Sequence, residues 1–407
     1  MTIIEKIKEK KENLINVFKG KNQNENNEVC DSKFFFDEIM KELKEFEQML
    51  PEISLLNGHE HFKVKETTEK VLRIIDEDEN VLTIQDETGK NIGMYAADLR
   101  LEEIVLRVLD NEEATLQEDE HYKNVCFHAI DSKLENVILK ALDNERYATS
   151  TQQFGKNIGM VCADAGMEEC VLKALDNYNA SIQQSNNGRN IGMYAAENKM
   201  EKAVIKALDN KEASLQQDHW GDNIGLRAAT NELKEATLKA LDNFEASCQQ
   251  NIDGKNIGIE ATINGMEECG LKALDNEVAR RQQCSEKYSI GLAGGAIQSE
   301  KILMKSLDDP ETVSFTTLYG YNVGIYAAVI GYEDVVLRAL DFKEQRDVVS
   351  LGGSNLLSLC KEYNMEKAYE KAERLYAEDE AERRKEYLTE CHNDYLSEHL
   401  CDSEDAM

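Results

Sequence analysis

Nowhere in this 407-residue chain is there a run of about 18 apolar residues, so no helix of it is expected to span a bilayer. A secretory signal is missing too, because "MTIIEKIKEKKENLINVFKG" interleaves charges with its apolar residues and has no continuous apolar core. The expected location is a cytosol, unless a dedicated machine exports the protein into a host cell. Basic residues are scarce: 47 Lys and Arg stand against 79 Asp and Glu, a net charge of −32. Each phosphate contact needs a local Lys or Arg, so nucleic acid is not an expected partner.

Signatures of chemistry are also lacking. No G-x-S-x-G or Cys-His pattern stands in a suitable context. "GLAGGA", Gly291 to Ala296, follows no strand and precedes no Lys-Ser/Thr, so it is no phosphate loop. Cys391, His392, His399 and Cys401 are close together without the spacing of a zinc knuckle or a helical zinc pair, and His59 and His61 have no further ligands nearby. No metal, cofactor or enzymatic activity is expected. The ten cysteines lack a disulfide-staple pattern. Cys170 and Cys269 share one repeat position and Cys162 stands where other copies carry Ala, which marks them as reduced, buried thiols.

What is present is repetition. Nine first positions, Asn91, Asn124, Asn157, Asn190, Asn223, Asn256, Ser289, Asn322 and Asn355, step by 33 residues without an insertion. A constant period means each unit meets its neighbours in one geometry. In the copy at Asn190, Met200, Ala203, Val204, Ala207 and Leu208 form the inward stripe of an amphipathic helix. A shorter helix with Ile191, Gly192, Ala195 and Ala196 on one side precedes it. The Asn or Ser at its start is an N-cap. "ALDN" then closes the second helix, with Asn144, Asn177, Asn210, Asn243 and Asn276 expected in the left-handed conformation. Gly89, Gly155, Gly188, Gly221, Gly254, Gly320 and Gly353 fit a returning turn that needs positive φ. Lys140, Lys173, Lys206, Lys239, Lys272 and Lys305 occupy one position, each three residues before an Asp, so stacked helices carry basic and acidic rows. Glu102–Glu103, Glu168–Glu169 and Glu267–Glu268 recur at one position and line a solvated face.

A 33-residue helix–turn–helix unit with "NGRNIGMYAAENK" resembles the ankyrin repeat, on Gly188, Met193, Tyr194, Ala195 and Ala196, and "ASIQQSNNG" resembles its preceding hairpin. The resemblance runs from about residue 62 to 372. It implies an all-α, ankyrin-like helix-turn-helix solenoid with short β-turn or hairpin connections and helical caps, and a protein-binding scaffold. Residues 1–30 are read as a flexible basic segment, 31–61 as a capping helix and connection, and 373–407 as an acidic helical extension and tail. The capping helix is expected over Asp31–Leu50 with Phe36, Ile39, Met40, Leu43, Phe46 and Leu50 on one face, ending at Pro51. "VLRIIDEDEN", Val71 to Asn80, reads as the second helix of a degenerate opening unit.

In such an array recognition lives where copies disagree. Trp220, the single tryptophan, stands beside His219 at a turn tip, and Phe154 holds the same position as Trp220 in another copy. Tyr288, Leu318, Tyr319 and Tyr321 fall at neighbouring tips, while Ile297, Val329 and Ile330 follow first helices where other copies are polar. Aromatic residues at exposed tips suit an interface. The expected site is a concave surface from about Trp220 to Ile330 that binds a protein, with acidic surroundings favouring a basic partner of a monomeric chain. The alternatives are a bacterial effector that uses the array for targeting and carries an export signal in its tail, or an enzyme hidden in residues 1–60, a stretch too short to build a site.

Overall fold

A computed structural model describes the backbone of residues 26–53 and 60–401, and side chains over 32–50 and 63–391. The segment 1–25, His59, His61, His392, His399, Cys401 and the tail all fall at positions whose side chains lie outside the described residues. The chain divides between Asn198 and Lys199 into two compact units. Among the described residues the regular elements are helices, with one isolated bridge between Thr151 and Asn157.

The first unit opens with α1, Asn26–Ile53, packed on α2, Glu60–Glu77. Phe36, Ile39, Met40, Leu43 and Phe46 are buried as the spacing predicts, and Leu50 is half-buried. Helix α1 begins five residues before Asp31 and passes through Pro51. Proline removes one N–H donor, and the helix ends within the next turn. Val71 to Glu77 form the end of the 18-residue α2, and Glu79–Thr83 a short 3₁₀ helix capped by Asp78. These stand where a frame carries its second and third helices, since Gln117 donates to Thr83 C=O as Gln282 does to Cys248 C=O.

Each regular frame holds three helices instead of two. In the frame at Asn223 they are Ile224–Thr230, Lys234–Ala240 and Phe244–Cys248. The third helix corrects the expected role of the closing asparagine. Asn144, Asn177, Asn210, Asn243 and Asn276 have φ between −86° and −101°, and each accepts an N–H of the short helix that follows. They are N-caps. The left-handed residue falls one helix earlier, at Arg100, Lys133, Gly166, Lys199, Glu232, Gly265, Gln298, Gly331 and Asn364. There the chain reverses from first to second helix, as where Leu233 N–H bonds Ala228 C=O and Glu232 N–H bonds Ala229 C=O. The turn glycines do adopt positive φ, from 70° at Gly155 to 82° at Gly353.

Seven-residue helices cannot stand alone. What holds them is a clamp that closes each frame on its own third helix and ties it to the frame before. Asn256 is fully buried; its Oδ1 accepts from Ile259 N–H at 2.8 Å, and its Nδ2 donates to Ala279 C=O at 2.8 Å and Gln282 Oε1 at 2.7 Å. Gln282 in turn donates to Cys248 C=O at 2.7 Å. Asn91, Asn157 and Asn223 repeat the arrangement. The second residue of the first helix is Gly in every frame but those at Asn124 and Asn355, because neighbouring side chains occupy its place: a Cβ on Gly258 would lie 2.5 Å from Ala273 Cβ and 2.7 Å from Ile290 Cδ1. Ser289 has no amide to donate, and its frame loses the third helix, with turns and Pro310 in its stead.

The basic and acidic rows stand side by side, and lysines of one frame bridge to the frame before it. Lys239, Lys272 and Lys305 bond Asp209, Asp242 and Asp275 of the preceding frame at 2.5, 2.6 and 2.6 Å, and each donates to a backbone carbonyl there. The Glu pairs lie in the first turns of second helices, where the helix dipole favours them. Cys162, Cys170 and Cys269 are buried free thiols, and burial pushes Cys269 up to about 11. The last frame runs into one 36-residue helix, Glu366–Cys401. It docks through a buried Arg346–Asp379 pair at 2.7 and 2.8 Å and through Tyr376 Oη donating to Arg346 C=O.

Candidate functional site

The hairpins that carry the expected site are built by their own sequence. Asp218 Oδ1 accepts from Trp220 N–H at 2.9 Å and Asp222 N–H at 3.0 Å, and Gly221 closes the turn with φ 78°. Neighbouring tips are laced by backbone bonds: Ile252 N–H to Trp220 C=O, Ser285 N–H to Asp253 C=O, and Leu351 N–H to Tyr319 C=O at 2.9, 2.8 and 3.0 Å. Exposed side chains at these tips are therefore held on a fixed backbone.

The residues singled out from sequence separate into three groups. Phe154 is exposed in the first unit, at φ 70° in a short 3₁₀ turn. Trp220 and His219 are exposed at the start of the second unit, where the Arg227 guanidinium lies 5.6 Å from the Trp220 ring centre and pairs with Asp218 and Asp222. The remaining seven fall further along that unit. Leu318 (57%), Tyr319 (66%) and Val329 (38%) are exposed. Tyr288, Ile297, Tyr321 and Ile330 are half-buried against the core. They support the surface more than they form its tips, because Tyr326 draws two of them inward. Its ring stands edge-on to Tyr321 at 5.3 Å and its hydroxyl is 3.3 Å from that of Tyr288. Burial and the Tyr288 hydrogen bond raise the Tyr326 hydroxyl above its ordinary value. Gly295 of "GLAGGA" makes room, since a Cβ there would lie 2.5 Å from the Tyr326 ring.

The same framework positions change character along the chain. In the first unit the residue before the cap pairs with the seventh residue of the first helix: Lys90–Asp98, Lys123–Asp131, Lys156–Asp164 and Arg189–Glu197, at 2.6 to 2.9 Å. In the second unit the seventh residue is Thr230, Ile263, Ala296 and Val329 before Glu362 restores a charge in the last frame, and the residue before the cap, Asp222 and Lys255 in the first two frames, becomes Tyr288 and Tyr321. A charged seam is thus replaced by an apolar row. Residues 288–299, 312–332 and 348–360 hold no Asp, Glu, Lys or Arg, although charged residues make up 31% of the chain. These windows cover hairpins and first helices of three successive frames. They identify exposed residues beyond the hairpin tips named from sequence, Val349 (56%) and Leu351 (78%); Ile263, also exposed, holds the place of Val329 two frames earlier but lies outside these windows. Ile252 is exposed beside Trp220, but Asp253, Ser285, Glu286 and Lys287 separate that pair from the uncharged windows.

Among the described residues, reactive side chains do not converge in a comparable way. His128 is buried with Nδ1 2.8 Å from Asp98 and Nε2 3.1 Å from Asp119, a hydrogen-bonded triad within the first unit. Burial alone would raise both carboxyls, but hydrogen bonds outweigh it and hold them below the usual range. An open cleft of about 650 Å³ beside α2 is lined by residues such as Val64, Lys65, Thr68, Arg100 and Leu101, with no His, Cys or Ser among its walls. Among the described residues no three His, Cys, Asp or Glu side chains are grouped to hold a metal, and no helix is long and apolar enough to cross a membrane.

No family model matches the chain, and no curated protein matches it. Among solved structures it is similar to the ankyrin repeat domain of Bcl-3, a member of the IkappaB protein family, with 13% identity, a TM-score of 0.44, and coverage of 53% of this chain and 99% of that one. On its own geometry the chain is an all-helical array of 33-residue units, each a first and a second helix followed in the regular frames by a short third one, joined by laced hairpins.

Proposed function

We propose that this protein is a non-enzymatic scaffold that binds another protein on the uncharged surface of its second unit, formed by the hairpin tips at Leu318, Tyr319, Val349 and Leu351 and by the first-helix end at Val329, with Ile263 at the equivalent position two frames earlier. The observation that carries the reading is the clustering of exposed apolar side chains in three charge-free windows of an otherwise highly charged chain. Exposed apolar clusters are costly to leave in water, and a patch on a rigid frame is how interfaces are built. The frame contributes by holding the tips in place before binding, so little side-chain or backbone freedom is lost on association. Surrounding acidic residues repel acidic proteins and favour neutral or basic ones. Trp220, His219 and Phe154 are accessory positions under this reading.

The test is affinity capture with the full chain and with a Leu318→Ala, Tyr319→Ala, Leu351→Ala variant. Truncating anchors of this kind costs about 1–2 kcal/mol each, so the variant loses at least about a hundred-fold in affinity, with an unchanged helical circular dichroism spectrum. Equal capture by both proteins would overturn the proposal.

A further inference from the structure

An apolar row of first-helix ends adjoins the uncharged surface and extends it by one frame, and its repeat constrains what lies on it. Each of three successive frames supplies one apolar position from the end of its first helix: Ile263, then Ala296 with Ile297, then Val329 with Ile330. Stacked helices are spaced by roughly 10 Å, so the row offers one anchor site about every 10 Å. An α-helix presents equivalent side chains every seven residues, about 10.5 Å apart. A β-strand presents them at about 6.7 or 13 Å and falls out of step. A polyproline II segment repeats every three residues, at about 9.3 Å, but it is narrow. The row here is broad, since the half-buried Tyr288 and Tyr321 stand just before the caps of two of the same frames.

The rim adds a charge preference. Asp253 and Glu286 on hairpins, and Glu300 and Asp334 at the starts of second helices, are all exposed. None of the four has an ion-pair partner among the described residues. Lys287 is the exposed base among the hairpin residues 283–288. A ligand with cations beside its apolar face gains on both edges, whereas one with anions is repelled.

We infer that the occupant of this surface is an amphipathic α-helix of a partner protein, with apolar residues in a seven-residue repeat over three turns or more and with Lys or Arg flanking that stripe. The inference rests on the proposed docking role and specifies the partner's chemistry. The helix lies along the frames at Asn256, Ser289 and Asn322, its stripe facing Ile263, Ala296 and Val329.

The experiment uses the full chain and three fluorescently labelled peptides in a polarisation titration. One is a 22-residue helix-forming peptide with Leu at heptad positions a and d and Lys elsewhere. The second has the same composition in scrambled order. The third is a proline-rich peptide with Leu at every third residue and equal charge. The helical peptide is expected to bind at least ten-fold more tightly than either control. An Ile263→Glu, Val329→Glu variant, altered only at exposed positions and checked for unchanged circular dichroism, is expected to lose that binding by ten-fold or more. Equal binding of the scrambled peptide, tighter binding of the proline-rich one, or an unaffected double variant each overturns the inference. If the helical peptide fails while the Leu318, Tyr319, Leu351 variant still loses its captured partner, the docking role stands and the helical occupant does not.

Discussion

Replacing Asn256 by serine and by alanine separates two roles that one side chain plays in holding the array together. As a cap, its Oδ1 accepts the Ile259 N–H at 2.8 Å, a bond that serine can also make and alanine cannot. As a clamp, its Nδ2 donates to Ala279 C=O and Gln282 Oε1, and neither substitute can do that. Asn256 and Ala279 are fully buried, so the acceptors left behind stay largely out of reach of water. A buried polar group without its partner costs about 1–3 kcal/mol, and a lost cap costs about 1 kcal/mol. With two acceptors affected, Asn256→Ser should destabilise by about 3 kcal/mol and Asn256→Ala by about 4 kcal/mol. A repeat array need not unfold in one step. The suitable assay is therefore hydrogen exchange read on the amides of the frames at Asn223 and Asn256, with urea denaturation alongside. Protection should fall first in the third helix, Glu277–Arg280, which the clamp ties down. If Asn256→Ser exchanges and unfolds like the unaltered protein, the clamp contributes nothing and the capping bond alone explains the asparagines.

Two further outcomes follow from named contacts. Burial of Asp309 would by itself raise its carboxyl, but Arg281 and Arg280 outweigh it and hold the group at about 2. A depressed carboxylate stabilises above its unfolded value of 3.8, so this contribution, about 2 kcal/mol, is present at neutral pH and is lost as pH falls from about 4 to about 2. Asp309→Asn should lower stability at pH 7 and flatten the acid limb of a pH titration of stability; an unchanged acid limb refutes the assignment. Gly258→Ala should destabilise by about 1–3 kcal/mol through overpacking despite the better helix propensity of alanine. Ile290→Val, which removes the Cδ1 that the new methyl would strike, should restore part of the loss in a urea titration; a Gly258→Ala protein more stable than its parent contradicts the close packing.

Much of this molecule was legible as sequence because its information is local and repeated nine times. The period, the capping Asn or Ser, the turn glycines and the inward stripe each follow from the dihedral preference or hydrogen-bonding capacity of a single residue, and repetition made the register unambiguous. The third helix was missed because Asn in "ALDN" suits a left-handed close and an N-cap equally well, and only the chain path distinguishes them. The left-handed position was missed because Arg100, Lys133, Lys199, Glu232 and Gln298 adopt it against their own preference, held by the bonds of the reversal. Tyr288 and Tyr321 were read as tips, yet their placement depends on Tyr326 and on the space left by Gly295, a partner two helices away in sequence. Leu351 needed no tertiary structure to be suspected, since the charge-free window around it is visible in the sequence.

The amino-acid sequence alone determined the period, the all-helical class and the scarcity of charge along three windows, because each depends on residue type and spacing. Only the tertiary structure decided which of those residues reach solvent and which are consumed by the core. Exposure is a property of what packs on a side chain from elsewhere in the chain, and no count along the sequence contains it.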